Sequence, residues 1–177
     1  MKSIKIISLI ALLNLMALGA FGQKEIDLEN SKIEFSIDNS GTLVKGKFVQ
    51  FSGTVTFNPD ELDKASFEVK IPVSGIRSGN SIRDKHLNEE DFFFADKFPS
   101  ITFKSSLVEK TEKGYMLSGE LSMRGVSKKI KFPFTYADET FKGRFVINRK
   151  NYGVGDEGYD GEIAPEVKIS IRCKLKS

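Results

Sequence analysis

The sequence predicts an all-β antiparallel chain of about eight strands with one short helix. Three observations carry this expectation. Apolar and polar residues alternate with period two along most of the chain, turn-forming clusters separate the alternating runs, and only one short stretch carries a helix cap. About eight such strands in a chain of this length make either a closed barrel or a two-sheet sandwich.

The elements follow in order. Phe51, Val55 and Phe57 share one face of a strand whose other face carries Ser52, Thr54 and Thr56, and Asn58-Pro59-Asp60 turns the chain after it. Ala65, Phe67, Val69 and Ile71 then alternate with Ser66, Glu68 and Lys70. The only helical signal comes next, where Asn80-Ser81 precedes Ile82, Arg83, Asp84, Lys85, His86 and Leu87, with an acid three residues after Ser81 as in a capping box. Ile101 and Phe103 alternate with Thr102 and Lys104. After the Glu112-Lys113-Gly114 turn, Tyr115, Leu117, Leu121 and Met123 alternate with polar partners. Phe141, Phe145 and Ile147 mark another strand, and the run from Val167 to Leu175 alternates most cleanly of all. The single cysteine, Cys173, falls on the apolar phase of that last run and is expected to be a buried structural thiol.

Before the first strand, Met1-Lys2-Ser3-Ile4-Lys5 leads into an apolar run from Ile6 to Ala20 and a small-residue ending at Gly22, the pattern of a secretory signal peptide. Cleavage is expected after Gly22, leaving residues 23–177 as one domain in the periplasm or outside the cell. The run is short for a membrane span and no second one follows, so no stable membrane insertion is expected. Loss of Lys2 and Lys5 lowers the formal charge from +3 to +1. That balance gives no reason to expect nucleic acid as a partner. A homodimer is compatible with the surface, although no residue demands one.

Three motif-like stretches fail on their context. Gly41 to Lys47 fits the start of a phosphate-binding loop, but the next residue is Phe48 rather than Ser or Thr, and the segment enters a strand. Gly153 to Gly158 spells the dinucleotide fingerprint, yet Pro165 and further glycine follow instead of a helix. Asp156, Glu157, Asp160 and Glu162 suggest calcium, but an EF-hand loop begun at Asp156 would need an acid or amide at Gly158 and Glu at Val167. The pattern therefore calls for no metal and no cofactor. His86 is the only histidine, so a histidine-rich zinc site cannot be assembled, and no serine occupies a nucleophile elbow. No catalytic residue is assigned, and an enzyme is not expected. The alternatives are an enzyme acting on a lipid-like substrate with His86 as base, and a structural barrel with a filled core.

The surplus is aromatic, with 15 Phe and no Trp, and Phe92-Phe93-Phe94 followed by Phe98. An eight-stranded barrel either fills with side chains or keeps room for one small ligand. Gly53, Gly119 and Gly143 occupy inward phases, where small residues would leave space.

The middle of the chain resembles the YceI-like family. The resemblance rests on Ser78-Gly79-Asn80, Arg83-Asp84-Lys85-His86-Leu87, Asp91-Phe92-Phe93 and Phe98-Pro99-Ser100-Ile101-Thr102-Phe103. It extends to Gly46-Lys47-Phe48 and Phe51-Ser52-Gly53 upstream, and to Gly119 through Lys128 and Ile147 through Gly155 downstream. Two positions depart from the pattern: Ile37-Asp38-Asn39 stands where many relatives place a histidine, and Phe94 where they place an acid. The resemblance implies an exported, lipocalin-like antiparallel barrel that holds a polyisoprenoid or other long-chain apolar lipid for transport, storage or sequestration. The expected apolar lining is Phe51, Val55, Phe57, Phe67, Val69 and Ile71 from the first strands. Leu87, Phe92, Phe93 and Phe98 join from the helical region, and Ile101, Phe103, Leu117, Leu121 and Phe145 from the later strands. Asn80, Arg83 and His86 are the expected polar groups at the mouth.

Overall fold

The computed structural model describes residues 22–155 and 157–176. The expected signal peptide, apart from Gly22, lies outside the described residues, as does Asp156. The strands are β1 (Lys24–Asn39), β2 (Thr42–Phe48), β3 (Ser52–Thr56), β4 (Ser66–Pro72) and β5 (Ile76–Arg77). The helix α1 (Ser81–His86) follows, then β6 (Ser100–Thr111), β7 (Gly114–Met123), β8 (Val126–Ala137), β9 (Thr140–Asn148) and β10 (Glu166–Leu175).

Eight of these strands close into an antiparallel ring in the order β1, β3, β4, β6, β7, β8, β9, β10, with β10 pairing back onto β1. The remaining two are continuations. β2 extends β3 along the second half of β1, and β5 extends β4 beside β2. A closed barrel is therefore realised rather than a sandwich, and full closure removes the unpaired edges that invite aggregation.

Local chemistry sets the turns. Ser40 and Gly41 both have positive φ, 50° and 80°, the conformation of a two-residue hairpin whose twist matches its flanking strands. The clearest strands of the sequence appear where expected, but β1 and β8 were illegible. In β1 the register shifts between Asp27 and Lys32, because the Asp27 carboxylate accepts hydrogen bonds from the Glu29 and Asn30 amides and pulls the chain into a bulge. In β8 Pro133 reads as a strand breaker. It is tolerated just before Phe134, where pairing with β9 begins.

The up-and-down course places two kinds of connection at opposite ends. The β3–β4, β6–β7 and β8–β9 turns form the base. The β1–β2 hairpin, the segment from Ser78 to Pro99, the β7–β8 turn and the long β9–β10 connection form the top. An aromatic cluster plugs the base. Phe57 stands 4.8 Å from Tyr136, 5.2 Å from Phe141 and 5.7 Å from Phe134 between ring centroids, mostly edge to face. Phe67 meets Phe141 at 5.2 Å.

Phe141 is buried in this plug. Its replacement by Ala should lower unfolding free energy by about 3–5 kcal/mol in urea titrations. Val146→Ala on the exposed outer face of β9 should change it by less than about 0.5 kcal/mol.

Candidate functional site

The inward phases of the barrel do not fill its interior. Above the aromatic plug lies a cavity of about 390 Å³, within the roughly 300–1,000 Å³ typical of small-molecule sites. Every strand of the eight-membered ring contributes to its wall. β1 supplies Ile26, Ile33, Phe35 and Ile37, and β10 supplies Val167, Ile169, Ile171 and Cys173. Both strands alternate because one face meets this space and the other meets water.

The residues expected as apolar lining divide cleanly. Phe51, Val55, Phe67, Val69 and Ile71 border the cavity, as do Ile101, Phe103, Leu117, Leu121 and Phe145. Leu87, Phe92 and Phe93 roof it from the segment after α1. Two expected residues stand elsewhere. Phe57 keeps the inward phase of β3 but sits below the cavity, within the base plug. Phe98 lies at the top against Phe94, at 6.0 Å, and against Gly125. Of the three polar candidates, Arg83 and His86 border the cavity, whereas Asn80 caps α1 by accepting hydrogen bonds from the Ile82 and Arg83 amides, both at 3.0 Å. The expected capping box does not form, because Asn80 rather than Ser81 is the cap and Asp84 accepts from the Ser78 amide at 2.7 Å and hydroxyl at 2.6 Å.

Inward glycines do not all create room. A Cβ on Gly119 would stand 2.5 Å from the Phe103 ring, and one on Gly53 would stand 2.3 Å from the Glu68 carbonyl oxygen. These positions are small because neighbours press against them. Gly143 does border the cavity and is less tightly pressed, since a Cβ there would stand 3.2 Å from the Pro133 carbonyl oxygen and 3.7 Å from the Phe132 ring. Cys173 also faces it, only half-buried, and burial pushes its thiol up to about 11 while a hydrogen bond with Ser31 pulls slightly the other way.

Polar lining groups all come from the top. They are Asn39, Ser78, Arg83, His86, Arg149, Tyr159 and Glu162. His86, Asp91 and Tyr159 form one network. Tyr159 donates to Asp91 Oδ2 at 2.7 Å, and His86 Nε2 lies 2.6 Å from the same oxygen. An ionised carboxylate only accepts, so this arrangement assigns the proton to His86 Nε2. Burial alone would raise the Asp91 carboxyl, but the Tyr159 and His86 hydrogen bonds outweigh it and hold the group below the ordinary carboxylate range. The network fastens the β9–β10 connection to the segment after α1. Arg124 adds a second tie by donating to the carbonyls of Glu90 and Gly153. In the acidic loop, Asp160 is paired with Lys150.

Arg149 is the residue that strand reading missed. It is 4% exposed, and its guanidinium donates to the carbonyls of Ala164, Val154, Gly155 and Ile163 at 2.7–3.1 Å. Burial lowers its pKa, opposed by the nearby Asp160 charge. The signal was present, since Arg149 continues the inward phase of Phe141, Gly143, Phe145 and Ile147.

Tyr159→Phe should cost about 1 kcal/mol of stability at neutral pH. Because the folded-state pKa of Asp91 is depressed, its contribution is complete above the ordinary Asp value near 3.8 and is lost as pH falls through the folded value. Denaturant melts across pH 2–6, a window set by reference carboxylate pKa values of about 4, should show a steeper acid loss for the wild type than for Asp91→Asn.

The comparisons with known proteins agree with this architecture. The chain is 30% identical over 161 residues to a UPF0312 protein of Photorhabdus laumondii, covering 90% of this chain and 76% of that one. A UPF0312 protein of Shewanella denitrificans is 33% identical over 103 residues, but the match spans 57% of this chain and only 54% of that protein. Among solved structures, BcnA of Burkholderia cenocepacia superposes with a TM-score of 0.81 at 26% identity, covering 86% of this chain and 99% of the other. A polyisoprenoid binding domain from Saccharophagus degradans has the same fold, with a TM-score of 0.66 at 12% identity over 88% of this chain and 99% of that one. A profile of the YceI-like domain matches residues 25–175, all but the edges of the described barrel, and the chain belongs to that family.

Proposed function

We propose that this protein is an exported carrier that takes up a polyisoprenoid or similar apolar chain into its barrel and releases it again, for transport, storage or sequestration. The observation that carries this reading is the cavity itself, about 390 Å³ of apolar space walled by all eight ring strands, with its polar lining groups gathered at the top. At about 30 Å³ for each water-sized group, that space holds roughly 13 such groups. At about 0.8 kcal/mol per buried methylene, a chain of this size gains on the order of 10 kcal/mol before association and ordering costs are subtracted. Reversible binding needs no other chemistry.

Family membership supports a binding protein over an enzyme, as does the Saccharophagus neighbour described as a polyisoprenoid binding domain. Export rests on the signal-peptide pattern ending at Gly22 and is part of the same proposal. Among the described residues, no helix is long and apolar enough to cross a membrane. A second reading makes His86 a base, because its ring borders the cavity and bonds a carboxylate as catalytic imidazoles do. The carrier reading gives His86 a fastening role instead, so His86→Gln should retain ligand and no turnover of a prenyl substrate should be lost.

Organic extraction of the purified protein, followed by mass spectrometry, should release a long apolar molecule. An empty extract together with no uptake of added prenyl alcohol would remove the carrier reading. Cys173 provides an internal reporter. Its raised thiol pKa, about 11, predicts slow alkylation at pH near the reference thiol value of about 8.5. A bound chain should slow that reaction further.

A further inference from the structure

We propose that the outer wall formed by β8, β9 and β10 is a docking surface for an anionic lipid bilayer. The surface lies on the outside of the barrel and goes beyond the reading of its interior.

The near-balanced charge of the domain hides an uneven distribution. On their solvent-facing phases β8 presents Lys129 and Lys131, and β9 presents Lys142 and Arg144. β10 adds Lys168, Arg172 and Lys174, and Glu166 at its upper end is the only acid in those phases. The opposite wall, made of β3, β4 and β6, is balanced by comparison, with Glu68 and Glu109 against Lys70 and Lys104. Among the described residues only Lys131 of the basic wall is in an ion pair, with Glu109 at 2.8 Å.

The strand registers concentrate this charge. Lys142 stands directly opposite Arg172, and Arg172 directly opposite Lys32 of β1, so three cations form a row across three strands. Like charges in directly opposed positions work against the sheet. Lys142, Arg172 and Lys174 also border one cleft on this wall, where Thr135 and Thr140 add hydroxyls and Asp138 is the only acid. Lys174 Nζ donates there to the Asp138 main-chain carbonyl at 2.6 Å, which leaves its charge unpaired. A negative surface laid against the wall converts this repulsion into attraction.

Apolar groups accompany the charge and decide the kind of partner. Val146 of β9 is 52% exposed and stands directly opposite Lys168, with Arg144 next along the same face. Beside Val146 the barrel wall is split. β8 and β9 pair only from Phe134 to Ala137 against Thr140 to Gly143, whereas above that point β8 pairs with β7 alone and β9 with β10 alone. The stacked Phe132 and Phe145 rings, 4.2 Å between centroids, lie behind this seam and line the cavity. A rigid acidic partner would need a carboxylate fixed opposite each base. A fluid bilayer supplies mobile phosphates to all of them and accommodates Val146 at its interface.

The test is co-sedimentation of residues 23–177, which contain the whole barrel and leave out the apolar run that would itself enter lipid. The protein should bind vesicles of phosphatidylcholine mixed with phosphatidylglycerol at low salt, and pure phosphatidylcholine vesicles far more weakly. Added salt should release it, since exposed charges are screened within a Debye length. A Lys142→Gln/Arg172→Gln double variant should lose about fivefold in binding for each charge removed, the effect expected of a base near an anionic surface. Its melting temperature should not fall, because the exchange removes a like-charge pair. A Lys70→Gln/Lys104→Gln double variant loses the same net charge from the opposite wall and should bind as the wild type does. Equal binding to both kinds of vesicle, no binding to either, or equal weakening by the two double variants overturns the inference. Capture by immobilised polyglutamate without any binding to vesicles also overturns it, and makes the wall a surface for an acidic protein instead.

Discussion

The ladder between β10 and β1 is the constraint on which everything else depends. Without it the eight strands would be an open, strongly twisted sheet with two exposed edges. With it, Ile33, Phe35 and their neighbours are pinned opposite Ile171 and Ile169, and the inward side chains face one another across a fixed width. Eight strands leave an interior at the boundary between a filled core and an open one. Which of the two results is decided by side-chain size along the axis. Toward the base, Phe57, Phe67, Phe134, Tyr136 and Phe141 interlock and fill the space. Farther up, aliphatic residues and Gly143 do not reach one another, and the cavity opens.

The top is built on a different principle. Its two long connections could not pack as strands and are joined by hydrogen bonds instead. Asp91 gathers His86 and Tyr159, Arg124 bridges Glu90 to Gly153, and Arg149 organises the β9–β10 connection through four carbonyls. Such a roof combines the apolar Leu87, Phe92 and Phe93 with all of the cavity's polar lining groups.

Much of this was legible in the sequence. Period-two alternation located most of the strands and their inward phases, because each strand has one wet face and one apolar face. It failed where local chemistry interrupts the period, as at the Asp27 bulge in β1 and at Pro133 in β8. Inward phase alone does not give depth along the barrel axis. Phe57 was therefore assigned to the cavity when it lies in the plug, and Gly119 was read as vacant when Phe103 presses on it. The top was least legible. Tyr159 and Arg124 meet their partners across 68 and 34 residues of sequence, a pairing that no local pattern encodes. Arg149 was overlooked because a charged residue at a strand end ordinarily points to solvent, although its phase placed it inside.

The central claim is that an apolar chain lies in the shaft between the aromatic plug and the polar roof. A crystal structure with a prenyl alcohol brominated at its chain terminus tests it most directly. Anomalous scattering should place the bromine deep in the barrel, beside Phe132, Phe145 and Cys173. Bromine density confined to the outer surface, with the shaft closed by its own side chains, would contradict the account.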